Sequence, residues 1–467
     1  MKIQFLGASR EVTGSKFLIT TDDNKKILLD CGMYQGKGME TDSMNRNLGF
    51  DPEELNYLIL SHAHIDHTGL VPYLYSNGFR GSIICTPATR DLCSIMLPDS
   101  GHIQELDVKW FNKKRVRQGL PTVTPIYTID DAEDCLKLFI TVAYDRRFYI
   151  NDKINVKFTN SGHMLGSSVV SLEITENGQK KRIAYTGDIG RGNNSLLKSP
   201  QAFPQCDYLI TESTYGDRLH RPQMEMEEDL LKIVTDTCVN KRGKLIIPSF
   251  SVGRTQEVVF MLNNFYNQGR LPRIDVYVDS PLSVNATEIF RMHTDSMNKD
   301  VAEVMKNDPD PFGFNSLHYI KKVEESKALN DSDKPCIIIS SSGMAEAGRV
   351  KHHIANNVAN EANTILIIGY CSPTSLGARI QQPGLSEISI FGEMHPVRAE
   401  VKRIEAFSGH GDYAEMSNYL MCQDRELVRQ VFLVHGEYKS QEFYKGKLEE
   451  KGFRNVSIPN LGDSVEL

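Results

Sequence analysis

The chain of 467 residues has one tryptophan, no C-x-x-C pair among its nine cysteines, and no apolar run near bilayer length. A membrane span needs roughly 20 apolar residues, so no membrane partner is expected. The start, "MKIQFLGASREVTG", lacks the apolar core and small-residue cleavage site of a secretion signal. Cysteines 31, 85, 93, 135, 206, 238, 336, 371 and 422 stand singly, and their odd count argues against a disulfide framework. A reducing cytoplasm is the expected location. Positive charge is also in short supply: the net charge is −7. Coating nucleic acid non-specifically requires Lys and Arg to neutralise phosphates, so that class is disfavoured unless the positive groups are concentrated locally. Neither solenoid-period repeats nor a low-complexity linker is present.

What is present is an ordinary globular composition, 40% hydrophobic and 24% charged, in a chain long enough for two or three domains. Unalternated apolar runs such as "KKILLDCG", "LNYLILSHAH", "DYLITESTYG", "KLIIPSFSVG" and "PCIIISSSG" suit strands buried on both faces. Helical stretches separate several of them, which predicts an α/β chain with at least one parallel sheet. Residues of about 91–144 read as a helical insertion, rich in charge and holding Trp110. Residues 213–392 form a continuous series of strand–loop–helix units resembling an inserted α/β domain.

Three of only 13 histidines fall within "SHAHIDHTGL". His62, His64, Asp66 and His67 follow an apolar strand closely enough to fan out from one tight loop, and they offer the ligand types that zinc prefers. His163 in "NSGHMLGSS", Asp188 in "AYTGDIG" and His435 in "FLVHGE" also end apolar runs. Strand carboxyl ends converge on one crevice in open α/β sheets, so these are natural co-ligands. A lone histidine is more often a hydrogen-bonded loop residue, and Asp188 near glycines could be a turn former. Coincidence of all seven as bystanders is the weaker reading. Asp30, in "ILLDCG", is assigned to orienting ligands rather than to ligation. His102, His352, His353 and His395 are read as structural.

H-x-H-x-D-H, preceded by "ILLDCG" and followed by single His and Asp motifs, resembles the metallo-β-lactamase fold. That resemblance implies an αββα sandwich with two zinc ions on one edge. His62, His64 and His163 would hold one ion, Asp66, His67 and a distal histidine the other, with Asp188 bridging. "LITESTYG" with Glu212, "FSGHGD" with His410 and "LVHGE" with His435 look like the signature motifs of the β-CASP nucleases. These carry an extra α/β domain inserted late in the fold. The implied organisation is a first metallo-β-lactamase segment at 1–212, the inserted β-CASP domain at 213–392 and a second segment at 393–467. The resemblance is closest to the RNA-processing branch, which includes the endonuclease subunit of mRNA 3′-end cleavage and its prokaryotic relatives. It implies a zinc-dependent ribonuclease that leaves 5′-phosphate ends.

The residues make chemical sense of this. A two-metal site suits in-line displacement at phosphorus, and His410 beside Glu212 is a fitting proton donor to the leaving oxygen. Asp66 and Asp188 join them as catalytic candidates. Three inserted-domain strands end in Ser/Gly loops that open helices, each with an arginine: "PSFSVGRTQE" (Ser251, Arg254), "SSSGMAEAGR" (Ser342, Arg349) and "YCSPTSLGAR" (Ser375, Arg379). Helix N-termini and Arg both bind phosphate, so these are the expected RNA contacts, with single-stranded RNA the expected partner. A homodimer or larger RNA-processing complex is compatible with this reading. Two alternatives stand beside it: a non-catalytic RNA-binding or scaffold member of the family, and a small-molecule ester, lactone or thioester hydrolase.

Overall fold

The computed structural model describes residues 1–36, 40–220, 224–369, 371–372, 374–404 and 409–467. Tyr370 and Pro373 of the third Ser/Gly loop, and Phe407 and Ser408 of "FSGHGD", lie outside the described residues. The chain forms two compact units. One comprises Met1–Asn194, Ser199–Leu219 and His410–Leu467; the other comprises Ser195–Lys198 and His220–Gly409.

In the first unit two seven-stranded sheets face each other. One runs Ser464–Glu466, Lys2–Phe5, Phe17–Thr20, Lys26–Leu29, Tyr57–Ile59, Ser82–Cys85, Phe139–Thr141. The other runs Val456–Ser457, Gln430–Val434, Tyr208–Glu212, Gln179–Tyr185, Ser168–Glu176, Ile154–Asn160, Arg147–Tyr149. Both alternate along each strand toward a shared core. Phe5, Phe17, Ile27, Leu29 and Ile59 meet Phe158, Leu172, Tyr185, Ile210 and Phe432, with Phe5 and Phe432 ring centroids 5.0 Å apart. Tyr208–Glu212 and Gln430–Val434 are almost wholly buried because their outer faces are covered too. Leu209, Val431 and Leu433 pack under Met416 and Leu420 of the helix Tyr413–Leu420 and Tyr444 and Leu448 of the helix Tyr438–Glu450. Helices outside two sheets make the αββα sandwich.

The stretch expected as a helical insertion is a 31-residue helix, Pro87–Arg117, a shorter helix, Ile129–Cys135, and the edge strand Phe139–Thr141. The long helix starts where Thr86 caps it, its hydroxyl accepting from Thr89 N–H, and it is buried only through Gly101.

The second unit is a six-stranded sheet in the order Leu317–Ile320, Asp275–Asp279, Cys336–Ser340, Leu245–Pro248, Thr364–Ile367, Glu400–Arg403. Every pairing in it is parallel. Parallel pairing requires crossovers, supplied by helices such as Arg254–Asn267, Pro281–Met292 and Arg349–Asn357. The unit ends at residue 409, with Glu400–Arg403 as its edge strand. All nine cysteines are free. Among the described residues no helix is long and apolar enough to cross a membrane.

Candidate metal centre

The strand Tyr57–Ile59 delivers the histidine motif to the sandwich edge. Its second half is a helical turn rather than a loop: Ile65–Thr68 is a short helix with His64 at its N-cap position. The turn sets the His67 ring 4.0 Å from that of His62, while Asp66 and His67 group with His435, and His62 and His64 group with His163 and Asp188, so one motif serves two positions. Backbones pack tightly around it. A Cβ on Gly32 would fall 1.7 Å from the Asp66 carbonyl oxygen, and one on Gly190 would fall 2.6 Å from the His163 nitrogen. Asp30, His435 and Ala8 adopt left-handed φ of 57°, 50° and 46°, a conformation costly for side-chain-bearing residues and characteristic of functional sites.

All seven predicted ligand residues come together. His62 Nε2 and His163 Nε2 each lie 3.1 Å from His64 Nδ1. His435 Nε2 lies 3.2 Å from His67 Nε2 and 3.3 Å from Asp66 Oδ2. Asp188 sits between the clusters: Oδ2 is 3.5 Å from both His62 and His163, and Oδ1 is 3.4 Å from His67. Asp188 Oδ1 is buried and accepts no hydrogen bond among the described residues. A buried carboxylate oxygen without a partner is costly, and a cation between the clusters would satisfy it. For zinc bonds of about 2.0–2.1 Å, tetrahedral ligands stand about 3.3 Å apart, which the observed separations match. The residues fit a metal pair.

Hydrogen bonds fix which imidazole nitrogens face inward. Asp30 is fully buried and accepts from Ser61 N–H at 2.7 Å, Ser61 Oγ at 2.6 Å, Tyr185 OH at 2.7 Å and His67 Nδ1 at 2.7 Å. Because Ser61 Oγ–H donates to Asp30 Oδ2, its oxygen accepts from His62 Nδ1–H at 3.0 Å. The lone pair of His62 Nε2 is thereby aimed at the centre in the neutral ring. At His67 burial opposes charge, but the Asp188, Asp66 and Asp30 carboxylates outweigh it and hold the imidazole well above the usual histidine range. Its Nε2 would ligate once a cation displaced that proton. Thr214, which sequence reasoning missed, does for His435 what Ser61 does for His62. Its hydroxyl donates to Glu212 Oε2 at 2.6 Å and so accepts from His435 Nδ1 at 2.9 Å. A Thr two residues past a motif carboxylate is a weak signal in sequence. Only the pairing of Tyr208–Glu212 beside Gln430–Val434 brings it to His435.

The electrostatics sort the groups. Burial, then the neighbouring imidazoles, hold His62 well below the usual histidine range, and burial takes His64 down to about 4. Both are the neutral form that ligates. Burial would raise Asp66 and Asp188, but the surrounding histidines outweigh it and hold both carboxylates ionised.

His410 stands apart from the ligands. Its Nδ1 is 3.0 Å from Glu212 Oε2, and its ring lies tilted at 46° to that of His163 with centroids 4.5 Å apart. Burial alone would lower its pKa; the Glu212 and Asp188 carboxylates override this and raise it to about 9. Glu212 is fully buried, with Oε1 taking the Ile189 N–H. With Nδ1–H committed to Glu212, Nε2–H is the proton His410 can deliver.

In the second unit, parallel strand order brings the Ser/Gly loops to one sheet end. Ser341 Oγ donates to Ser280 Oγ at 2.7 Å, Ser251 Oγ lies 3.5 Å from Ser280 Oγ, and Gly377 N–H donates to the Met344 carbonyl at 2.9 Å. The arginines are not equivalent. Arg349 donates to Asp279 Oδ1 at 2.6 Å and to the Lys321 carbonyl at 2.6 Å, and Arg254 pairs with Glu257. Arg379 has no side-chain partner among the described residues. Ser342 bonds Ala347 within its own loop, and Ser375 caps the helix Leu376–Arg379. His353 is buried and bonded to Asp279 at 2.7 Å.

Family models match in three places: the metallo-beta-lactamase superfamily at residues 11–91, the Beta-Casp domain at 255–380 and the Zn-dependent metallo-hydrolase RNA specificity domain at 394–459. Ribonuclease TTHA0252 of Thermus thermophilus is 33% identical over all of both chains. Transcription termination factor FttA of Methanocaldococcus jannaschii is 32% identical over 94% of this chain and 67% of its own length. An RNase J-like protein of the same organism is 31% identical over 94% of each. A two-sheet sandwich with a His/Asp cluster on its edge, a parallel-sheet second unit and full-length identity at this level lead to one assignment: the chain belongs to the β-CASP family of metallo-β-lactamase-superfamily metallo-hydrolases.

Proposed function

We propose that this protein is a ribonuclease holding two zinc ions, and that it cuts RNA phosphodiester bonds to leave 5′-phosphate ends. One observation carries the reading: His410, backed by Glu212, stands beside two clusters of ligand atoms, with Asp188 within 3.5 Å of His163 in one and 3.4 Å of His67 in the other. In this reading His62, His64 and His163 form one site, Asp66, His67 and His435 the other, and Asp188 serves both. A metal pair there would supply an acidified water and neutralise charge developing on the phosphate.

The chain's own residues do the rest. Asp30 and Thr214 hold the rings of His67 and His435 in register. Glu212 keeps His410 protonated at neutral pH, and His410 Nε2 hands its proton to the departing ribose oxygen. Such acid catalysis is typically worth about 10²–10⁴-fold. A small-molecule hydrolase needs no such donor for a good leaving group.

RNA phosphates are assigned to the loops at the sheet end of the second unit, within the segment 213–392. Arg379 and the Ser251 and Ser342 loops are the readiest contacts, Arg254 and Ser375 supporting ones. Arg349 reaches phosphate only if it leaves Asp279.

The test is to measure zinc by elemental analysis and to incubate the protein with 5′- and 3′-labelled RNA. About two zinc ions per chain and products carrying 5′-phosphate are expected. Absence of zinc, or RNA left intact by zinc-loaded protein, would refute the proposal.

A further inference from the structure

Beyond its buried base, the helix Pro87–Arg117 continues as an arm to which this function gives no role. From Lys109 to Thr124 no residue is buried, and Trp110, the only tryptophan, is 69% exposed. Residues 108–129 carry five positive charges and no negative one, in a chain of net charge −7.

The arm has two distinct faces. At about 100° per residue, Gln104, Glu105, Asn112 and Arg115 share one side. They hold the returning chain: Asn112 exchanges two hydrogen bonds with Val123, Arg115 donates to the Pro121 carbonyl at 2.6 Å, and Gln104 and Glu105 accept from Ile126 and Ile129. Leu106, Lys109, Trp110, Lys113, Lys114 and Arg117 fall within about 140° on the opposite side. None of those four cations has an ion pair or side-chain hydrogen bond among the described residues. The fold thus uses one face and leaves the other as exposed Trp110, Leu106 and Ile103 among four cations without partners among the described residues, with Asp107 at the edge.

We propose that this face docks single-stranded RNA, with Trp110 stacking on a base and Lys109, Lys113, Lys114 and Arg117 meeting phosphates. A purely apolar patch would fit a protein, but a polyanion with exposed bases matches both features together. The inference rests on RNA being the substrate and adds a second point of attachment. The helix begins beside the metal centre, where Thr86 and Thr89 both bond the Gly166 carbonyl. Trp110 lies about 32 Å along the axis from Thr89, at 1.5 Å per residue. A single strand spanning that distance needs at most about nine nucleotides, the count at a stacked rise of about 3.4 Å, and fewer when extended. Long substrates would therefore feel the arm and short ones would not.

The sole tryptophan makes the surface its own reporter. Titrating the zinc-loaded protein with a 20-nucleotide oligo(U) should quench Trp110 emission in a saturable, salt-sensitive way. Replacing all four cations by Ala should reduce the salt slope by up to about 0.7 for each contact. W110A should raise KM for the 20-mer roughly ten-fold and leave kcat unchanged. W110F should restore most of the loss. Hydrolysis of bis(p-nitrophenyl) phosphate should be unaffected in every variant. Wild-type protein that cleaves the 20-mer while Trp110 emission and the variants' KM stay constant would overturn the arm and leave the ribonuclease reading intact. Loss of a co-purifying protein with no change in KM would also overturn it. A wild type that neither binds nor cleaves RNA would overturn both.

Discussion

Thr214→Val probes how the second cluster is assembled. The substitution keeps the shape of the side chain and removes the hydroxyl that accepts from His435 Nδ1 and donates to Glu212 Oε2. His435 would then lose the partner that aims Nε2 at Asp66 and His67. Glu212 keeps the Ile189 N–H and His410, so the proton donor should be little disturbed. Removing such a supporting bond typically costs 10–100-fold in metal affinity, or about 1.4–2.7 kcal/mol. The cluster of His62, His64 and His163 does not involve Thr214. Competition between the protein and a chromophoric chelator for zinc should therefore show one site weakened by that factor and one unchanged. Thr214→Ser retains the hydroxyl and should bind both ions as the wild type does. Wild-type affinity in Thr214→Val, or equal weakening in Thr214→Ser, would refute the hydrogen-bond argument.

His435→Ala should lose one zinc together with activity, whereas His410→Ala should keep both and cleave about 10²–10⁴-fold more slowly; elemental analysis beside single-turnover cleavage separates them. Glu212→Gln should follow His410→Ala in rate. Arg379→Ala should lower the salt slope of RNA binding by about 0.7 without changing stability. Arg349→Ala should cost about 1–3 kcal/mol in urea unfolding, since it strips a donor from buried Asp279. Lys16 lies fully buried, with its ammonium 4.4 Å from the Tyr34 ring centroid and no hydrogen bond among the described residues. Burial lowers its pKa from 10.5 to about 8. The unfolded chain thus binds that proton more tightly, and wild-type stability should rise as pH climbs from about 8 to 10.5. Lys16→Met should be up to about 3 kcal/mol more stable at pH 7, an advantage that urea titrations should show vanishing by pH 10.5.

The α/β class and the run of parallel strands were legible in the sequence because a strand buried on both faces must be apolar at every position. The seven candidate ligands could be picked out because His and Asp recur together at the ends of such runs, and the structure gathers all seven side chains. Helix Ile65–Thr68 was not legible, since four residues carry no periodicity. Thr214 and Ser61 were invisible for a different reason. Each matters through one hydrogen bond to a residue brought near by sheet pairing, and a hydroxyl in a strand-end loop has no distinguishing pattern. Arg254, Arg349 and Arg379 look alike in sequence, each near a Ser/Gly loop; Asp279 and Glu257 engage two of them. The two faces of the Lys109–Arg117 arm likewise emerged only when the return chain took up Asn112 and Arg115. Local chemistry settles what a residue can do, but hydrogen-bond partners distant in sequence decide which side chains stay available to do it.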